Sequence, residues 1–251
     1  MEGVKLASDS IFATIQGEGK LTGIPSVFVR LAGCNLHCTW NSESSKPIEC
    51  DTAYAAYRVE NSSTLSIQDI LKTISELRGA INHIVITGGE PLLQADSLTQ
   101  LCLELKKEGF HITIETNGTI YNSSLFELVD LFSISPKLSS STPKDPNAAL
   151  RHNKLRINIE ALTNLINHAK NGCKDIQLKF VVTKPKDIEE IEKIIAQLPK
   201  VEPSNILIMA AGSDNGTLNQ NTMQVLDMII ERGWRFCDRL HIRLFGNTPG
   251  K

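Results

Sequence analysis

The chain has 251 residues, of which 41% are hydrophobic and 22% are charged, and its formal net charge is −2. This composition is typical of a globular protein with a sizeable core, and the length suits one domain of α/β-barrel size. There is no basic run and no apolar stretch of about 18 residues, so we expect neither a nucleic-acid partner nor a membrane partner.

The first elements predict strands that end in loops. The opening MEGVKLASDS has no apolar signal core, which indicates a cytoplasmic protein. IFATIQGEG (residues 11–19) predicts a strand followed by a loop whose glycines allow the backbone to approach another group closely; a simple turn is the alternative. The run 26–32 predicts the next strand. Arg30 within it would be buried and needs an anionic partner, either a ligand carboxylate or a structural salt bridge.

Three of the six cysteines follow this strand in GCNLHCTWNSESSKPIECDT: Cys34, Cys38 and Cys50. Thiolates select iron–sulfur clusters, zinc or Cu(I). Three cysteines can hold three irons of a four-iron cluster and leave the fourth iron open. A structural zinc ion needs a fourth ligand, which His37 could supply. Three further cysteines occur singly, and we expect small buried hydrophobes there: Cys102, Cys173 and Cys237.

Helical spacing begins after residue 65, with Ser66 as the predicted N-cap and Gly79 as the stop. HIVIT predicts a buried strand that ends in TGGEP (87–91), where two glycines expose the backbone to a ligand. The strand HITIE ends in Glu115. A carboxylate at the end of a barrel strand points towards the mouth, where it could bind a substrate; an ion pair is the alternative.

Strands and helices alternate through the rest of the chain, which is the parallel α/β pattern. No G-x-G-x-x-G follows a strand, so the pattern favours an incomplete TIM-like (β/α) barrel over a dinucleotide-binding sheet. We predict a single helix over 217–233 and a last strand over 240–245. His241 on that strand could reach a substrate or be a core histidine.

The motifs FATIQGEG, GCNLHC…W…CDT and TGGEP together resemble the radical S-adenosylmethionine (SAM) superfamily, and within it the 7-carboxy-7-deazaguanine synthase family. The resemblance extends over most of the chain. The family spacing C-x3-C-x2-C would place the third cysteine at position 41, where this chain has Asn41. We interpret 41–49 as a polar surface insertion in one radical SAM domain (1–251) that displaces the third ligand to Cys50.

The resemblance implies a set of site residues. Cys34, Cys38 and Cys50 would hold a [4Fe–4S] cluster, and Thr52 would be a Mg²⁺ ligand, with a helix N-cap as the alternative role of Thr52. SAM would contact Gly89, Ser135, Pro136 and Lys137. A pterin substrate would contact Ile15, Gln16, Gly17, Arg30, Thr87, Glu115 and His241.

The resemblance also implies a reaction. Reductive cleavage of SAM would give a 5′-deoxyadenosyl radical that takes a hydrogen atom from 6-carboxy-5,6,7,8-tetrahydropterin. The ring then contracts and loses ammonia to give 7-carboxy-7-deazaguanine, a step of queuosine biosynthesis for tRNA modification. The implied partners are a flavodoxin-like reductant and a second copy of the chain in a homodimer. Two alternatives stay open: another radical SAM enzyme such as a glycyl-radical activase, and a non-enzymatic zinc-binding module that uses His37.

Overall fold

The computed structural model describes residues 3–40, 47–246 and 248. Its strands are β1 (Val4–Ile15), β2 (Pro25–Leu31), β3 (Thr39–Trp40), β4 (Ile48–Glu49), β5 (Ser62–Leu65), β6 (His83–Gly88), β7 (His111–Thr116), β8 (Leu131–Ile134), β9 (Asp175–Val182), β10 (Ile206–Ala210) and β11 (Arg235–Phe236). Its α-helices are α1 (Ala53–Ala56), α2 (Ile67–Arg78), α3 (Ala95–Lys107), α4 (Ser123–Phe126), α5 (Pro146–Leu155), α6 (Ile159–Asn171), α7 (Lys186–Ile195), α8 (Asn215–Met223), α9 (Leu226–Glu231) and α10 (Leu240–Phe245).

Nine strands form one sheet in the order β11-β10-β9-β8-β7-β6-β2-β1-β5. Every neighbouring pair from β2 to β11 is parallel, whereas β1 runs antiparallel to both β2 and β5. Strands β5 and β11 lie at opposite edges of this sheet, so the barrel is open. The prediction of an incomplete (β/α) barrel is confirmed.

The parallel strands are apolar because helices cover them, as in other parallel sheets. Phe110, Phe126, Phe132 and Phe180 are among the largest fully buried side chains of the core. Helix α2 begins and ends as predicted, since its N-cap serine accepts a hydrogen bond from the Asp69 amide and a glycine with positive φ ends it. Within the described residues, no helix is long and apolar enough to cross a membrane.

Two predictions for the carboxyl-terminal part are wrong. Residues 240–245 form helix α10, not a strand, and His241 therefore lies on a helix. The predicted single helix over 217–233 is two short helices, α8 and α9. A six-residue apolar run such as LHIRLF fits both kinds of element, so its pattern alone does not distinguish them.

The predicted insertion 41–49 lies partly outside the described residues, which omit 41–46. On either side of this gap β3 and β4 pair antiparallel, with Trp40 opposite Ile48. Ile48 is half-buried and packs with Trp40 on the cluster around Leu36 and Cys38. The described end of the insertion therefore packs against the cysteine loop instead of lying wholly on the surface, because it carries an apolar residue.

Candidate active site

One cavity of about 210 Å³ opens at the carboxyl ends of the parallel strands, where barrel enzymes of this kind build their sites. The structure brings nearly all of the predicted site residues to its wall: Ile15, Gln16, Gly17, Arg30, Cys34, Cys38, Cys50, Thr52, Thr87, Gly89, Glu115, Ser135, Lys137 and His241. Pro136 is not part of the lining. Residues far apart in the chain thus meet in one place.

The three clustered cysteines line this cavity and belong to one apolar group with Leu36 and Trp40. Burial raises the pKa of Cys34 to about 12 and also raises the pKa values of Cys38 and Cys50. Thiols in such a site stay protonated unless a metal ionises them, and the thiolate is the form that ligates metals. The donor set therefore fits a soft metal centre.

A single zinc ion fits these cysteines less well. Tetrahedral zinc with bonds of about 2.3 Å holds its sulfur ligands about 4 Å apart. In the described part of the chain, Glu18, Asp51 and His241 are the one trio of ligating side chains whose atoms all lie within 4.8 Å of one another. The cysteine sulfurs are more widely spread, and His37 stacks on Tyr57 at 3.7 Å without lining the cavity. Three thiols that do not form a compact trio fit one tetrahedral zinc ion less well than a cluster with several irons.

Glycines allow the TGGEP segment to lie directly on the cysteine loop. A Cβ atom on Gly89 would collide with the Gly33 carbonyl oxygen, and one on Gly88 would collide with the Leu31 backbone. The Glu90 amide donates to that same Gly33 carbonyl at 2.8 Å. The exposed Gly89 backbone is consequently held beside Cys34, a suitable position for binding an amino group next to a cluster.

A second set of hydrogen bonds, which sequence reasoning missed, ties the cysteine loop to the end of β7. Asn35 lies between two of the cysteines; its Oδ1 accepts from Asn117 Nδ2 at 2.8 Å and its Nδ2 donates to Thr119 Oγ1 at 2.8 Å. The buried Glu90 carboxylate accepts from the Asn117 amide and from Thr116 Oγ1, both at 2.7 Å. The N-L-H segment between the cysteines gave no signal for this network.

Three predicted substrate residues form a continuous polar edge. Gln16 Nε2 donates to Glu115 Oε1 at 3.1 Å, and Thr87 Oγ1 donates to Glu115 Oε2 at 2.8 Å. Thr87 and Glu115 lie near the carboxyl ends of β6 and β7, and Gln16 lies in the loop that follows the antiparallel strand β1. The edge offers a carboxylate and an amide towards the cavity, which is suited to a ligand with several N–H and C=O groups in one plane.

Arg30 has a buried Nε atom with no hydrogen-bond partner among the described residues. Its guanidinium lies 5.5 Å from the Phe12 ring centroid and 5.9 Å from that of Tyr54. The salt-bridge alternative is not supported, since none of the ion pairs found in the described residues includes Arg30. Arg30 is half-buried overall, and its buried Nε atom without a partner in the cavity wall fits an anionic ligand.

Thr52 occupies the N-cap position of α1, but its side chain makes no capping hydrogen bond. Its Oγ1 lies 3.4 Å from Cys50 Sγ and 3.5 Å from the Gly88 carbonyl oxygen. On the opposite wall Lys137 Nζ donates to Ser135 Oγ at 2.8 Å. The Thr52 hydroxyl thus faces the cavity, where hard oxygen ligands would suit Mg²⁺.

Five charged residues of the cavity wall were not predicted as site residues: Glu18, Glu49, Asp51, Lys179 and Arg239. Glu18 forms ion pairs with Lys179 and Arg239, and all three side chains are largely buried. Although burial raises the pKa of Glu18, the two cations hold that pKa well below its usual range. Lys179 could have been found, because it interrupts the apolar strand DIQLKFVV; Arg239 follows no local pattern.

Comparison with known proteins defines the class first. Residues 29–198 match the family model described as "Radical SAM superfamily". The chain is 36% identical to the 7-carboxy-7-deazaguanine synthase of Halobacterium salinarum, over 99% of this chain and 93% of that protein. It is 37% identical to that of Rhodopirellula baltica, over 95% of this chain and 86% of that protein. The crystal structure of QueE from Escherichia coli has the same fold, with a TM-score of 0.66 and 23% identity over 95% of both chains.

The fold and the cavity are thus those of a radical SAM enzyme. Within that superfamily, the chain belongs to the 7-carboxy-7-deazaguanine synthase family. A [4Fe–4S] cluster and SAM are characteristic of this class, Mg²⁺ is typical of these synthases, and the substrate is a small molecule.

Proposed function

We propose that this chain is a lyase that converts 6-carboxy-5,6,7,8-tetrahydropterin to 7-carboxy-7-deazaguanine with loss of ammonia, in queuosine biosynthesis. The observation that carries this proposal is one cavity lined both by three cysteine thiols and by Arg30, whose buried Nε atom has no partner among the described residues. The thiols suit a cluster that generates a radical. The guanidinium suits a substrate that carries a carboxylate. A glycyl-radical activase, whose substrate is a protein, has no need of a small polar pocket with a buried cation.

In this proposal Cys34, Cys38 and Cys50 hold the cluster, which together with SAM supplies the radical chemistry. The Gly89 backbone binds the amino group of SAM. A second segment that contacts SAM consists of three consecutive residues after β8: Ser135, Pro136 and Lys137. Pro136 fixes the backbone between its neighbours without itself lining the cavity.

Arg30 binds the substrate carboxylate through two parallel hydrogen bonds. Gln16, Thr87 and Glu115 bind the amide and amino groups along the edge of the pterin. Ile15 packs against the ring. Gly17 lies so close to His241 that a Cβ atom would collide with the imidazole, so glycine is what allows the histidine to reach the substrate. Thr52 holds Mg²⁺ against the substrate oxygens.

The test is product formation by anaerobically reconstituted, reduced protein supplied with SAM, Mg²⁺ and the carboxytetrahydropterin. We expect 7-carboxy-7-deazaguanine and one equivalent of ammonia, identified by mass. A tetrahydropterin that lacks the 6-carboxylate serves as the matched control, and it should bind weakly because Arg30 then has no anion. If the protein converts neither compound, the proposal is refuted.

The proposal extends to organisation and partners. We propose one radical SAM domain over 1–251 with an insertion at 41–49, a flavodoxin-like reductant, a homodimer and a cytoplasmic location, where free thiols persist and all six cysteines are free. Deleting 41–49 would join Trp40 to Cys50 and recreate the common spacing. We expect the shortened protein to bind its cluster; a loss of iron would show that the β3–β4 pair shapes the site.

A further inference from the structure

We propose that Arg239 is a positioning residue that joins two loops: the cluster loop, which carries Cys50, Asp51 and Thr52, and the substrate loop, which follows β1 and carries Glu18. The proposal rests on the function proposed above, because it concerns the placement of Cys50 and Thr52. Arg239 lies just before α10, far along the chain from both loops. Its side chain is only 8% exposed.

Arg239 contacts acceptors from three separate segments. One terminal nitrogen forms an ion pair with Asp51, in the cluster loop. Nε donates to Glu18 Oε1 at 3.2 Å, in the loop after β1. The other terminal nitrogen donates to the Gly212 carbonyl at 2.7 Å, after β10. A guanidinium group presents donors in several fixed directions, so one arginine can join three acceptors that a lysine ammonium would not join in the same way.

The ion pair between Arg239 and Asp51 matters because of where Asp51 lies in the chain. Asp51 stands between Cys50 and Thr52, whose side-chain atoms lie 3.4 Å apart and face the cavity. Its own side chain is 42% exposed and would otherwise be free to move in solvent. Holding the Asp51 carboxylate therefore restrains the backbone on both sides of it. One buried arginine thereby sets where a cluster ligand and a proposed Mg²⁺ ligand stand.

The same group of residues is not a metal site. The ligating atoms of Glu18, Asp51 and His241 lie within 4.8 Å of one another, which is close enough to bind a common ion. Glu18 is already paired with both Lys179 and Arg239, and Asp51 with Arg239. Two carboxylates and two buried cations balance each other, so a divalent ion would enter beside like charge. The arrangement is complete as a set of ion pairs.

Hydrogen exchange of the protein without cluster or substrate tests the positioning role directly. Amides of Ala53, Ala55 and Ala56 donate to the carbonyls of Cys50 and Thr52. In Arg239→Gln we expect their exchange to speed up by about tenfold or more, since the loop then opens locally. Arg243→Gln is the matched control, because Arg243 pairs with Asp238 on the same segment and does not line the cavity. Equal exchange in wild type and Arg239→Gln would overturn the proposal.

Activity gives the second measurement. Arg239→Gln should lower kcat by about tenfold or more and raise the Mg²⁺ concentration needed for half-maximal rate. Asp51→Asn should act in the same direction, and the double variant should be little worse than Arg239→Gln, because the two residues act as a unit. Additive effects would overturn the proposal. If wild type itself makes no product from the pterin, the proposed function fails, while the exchange measurement still decides the role of Arg239.

Discussion

His83 and Arg30 lie near opposite ends of the parallel strands, and they differ in whether their buried polar atoms have partners within the protein. At the amino end, His83 Nδ1 lies 2.7 Å from Ser26 Oγ and Nε2 lies 2.8 Å from Thr113 Oγ1. At the carboxyl end, the Arg30 Nε atom has no partner among the described residues, and three thiols converge. The partners of His83 indicate a structural role, whereas a buried Nε atom without a partner in a cavity wall, as in Arg30, indicates a ligand.

The largest effect is expected from substitutions of the cysteines at the carboxyl end. We expect Cys34→Ala, Cys38→Ala and Cys50→Ala each to abolish the four-iron cluster, because each removes one of the three proposed protein ligands. Iron and sulfide analysis of anaerobically reconstituted protein measures this. The matched controls, with full iron content expected, are Cys102→Ala, Cys173→Ala and Cys237→Ala. An intact cluster in Cys50→Ala would show that the third ligand lies elsewhere.

A smaller loss is expected for Arg30→Met, which keeps much of the volume but removes the anion partner. Truncating one member of a buried charge pair costs about 2–5 kcal/mol in binding. Substrate affinity should fall accordingly, while SAM cleavage in the absence of substrate persists. Arg78→Met is the control, since Arg78 stacks on Phe110 outside the cavity. Loss of the fold in Arg30→Met alone would instead indicate a structural role.

At the amino end we expect a change in pH dependence. Burial lowers the pKa of His83 from 6.5 to about 4. The unfolded chain therefore binds an extra proton below pH 6.5, so this stabilisation is present above that pH and is lost as the pH falls towards 4. One pKa unit corresponds to about 1.4 kcal/mol, which gives about 3 kcal/mol in full.

Denaturant unfolding of the apo protein at pH 7 and pH 4.5 measures this loss. His83→Gln retains a donor and an acceptor for Ser26 and Thr113 but does not titrate, so its stability should fall less between the two pH values. His152, whose pKa burial also lowers to about 4, is common to both proteins and cancels. An identical fall in both proteins would contradict the assignment to His83.

The smallest effect is expected where a polar group at the carboxyl end is already satisfied. Asn35→Ala removes hydrogen bonds with Asn117 and Thr119 and a long contact with Cys34 Sγ, and it should cost about 1–3 kcal/mol of unfolding free energy. Because its partners are protein groups, we expect iron content and substrate affinity to change little. Complete loss of the cluster in Asn35→Ala would contradict this expectation. It would show that a residue whose hydrogen bonds are all made to protein groups can still be needed for ligand binding.

Site residues could be predicted from the sequence where they lie close together in the chain. The cysteine loop, TGGEP and IQGEG carry their chemistry in local spacing, and these motifs placed most of the cavity wall. Arg239 could not be placed in this way, since it is a single charge brought to the cavity by tertiary packing, whereas Lys179 carried a local signal only as a charge within an apolar strand. The strand predicted over 240–245 failed for a related reason: a short apolar run takes its conformation from its surroundings.

The pairing of Trp40 with Ile48 has a consequence for how such a chain can change. Strands β3 and β4 pair over two residues each, and this pairing ends directly before Cys50, which lines the cavity. The number of residues between these strands can then vary without moving the third thiol, and lengthening a loop costs only about 0.6 kcal/mol per doubling. We accordingly expect a foreign peptide introduced between Trp40 and Ile48 to leave the three cysteines in their places.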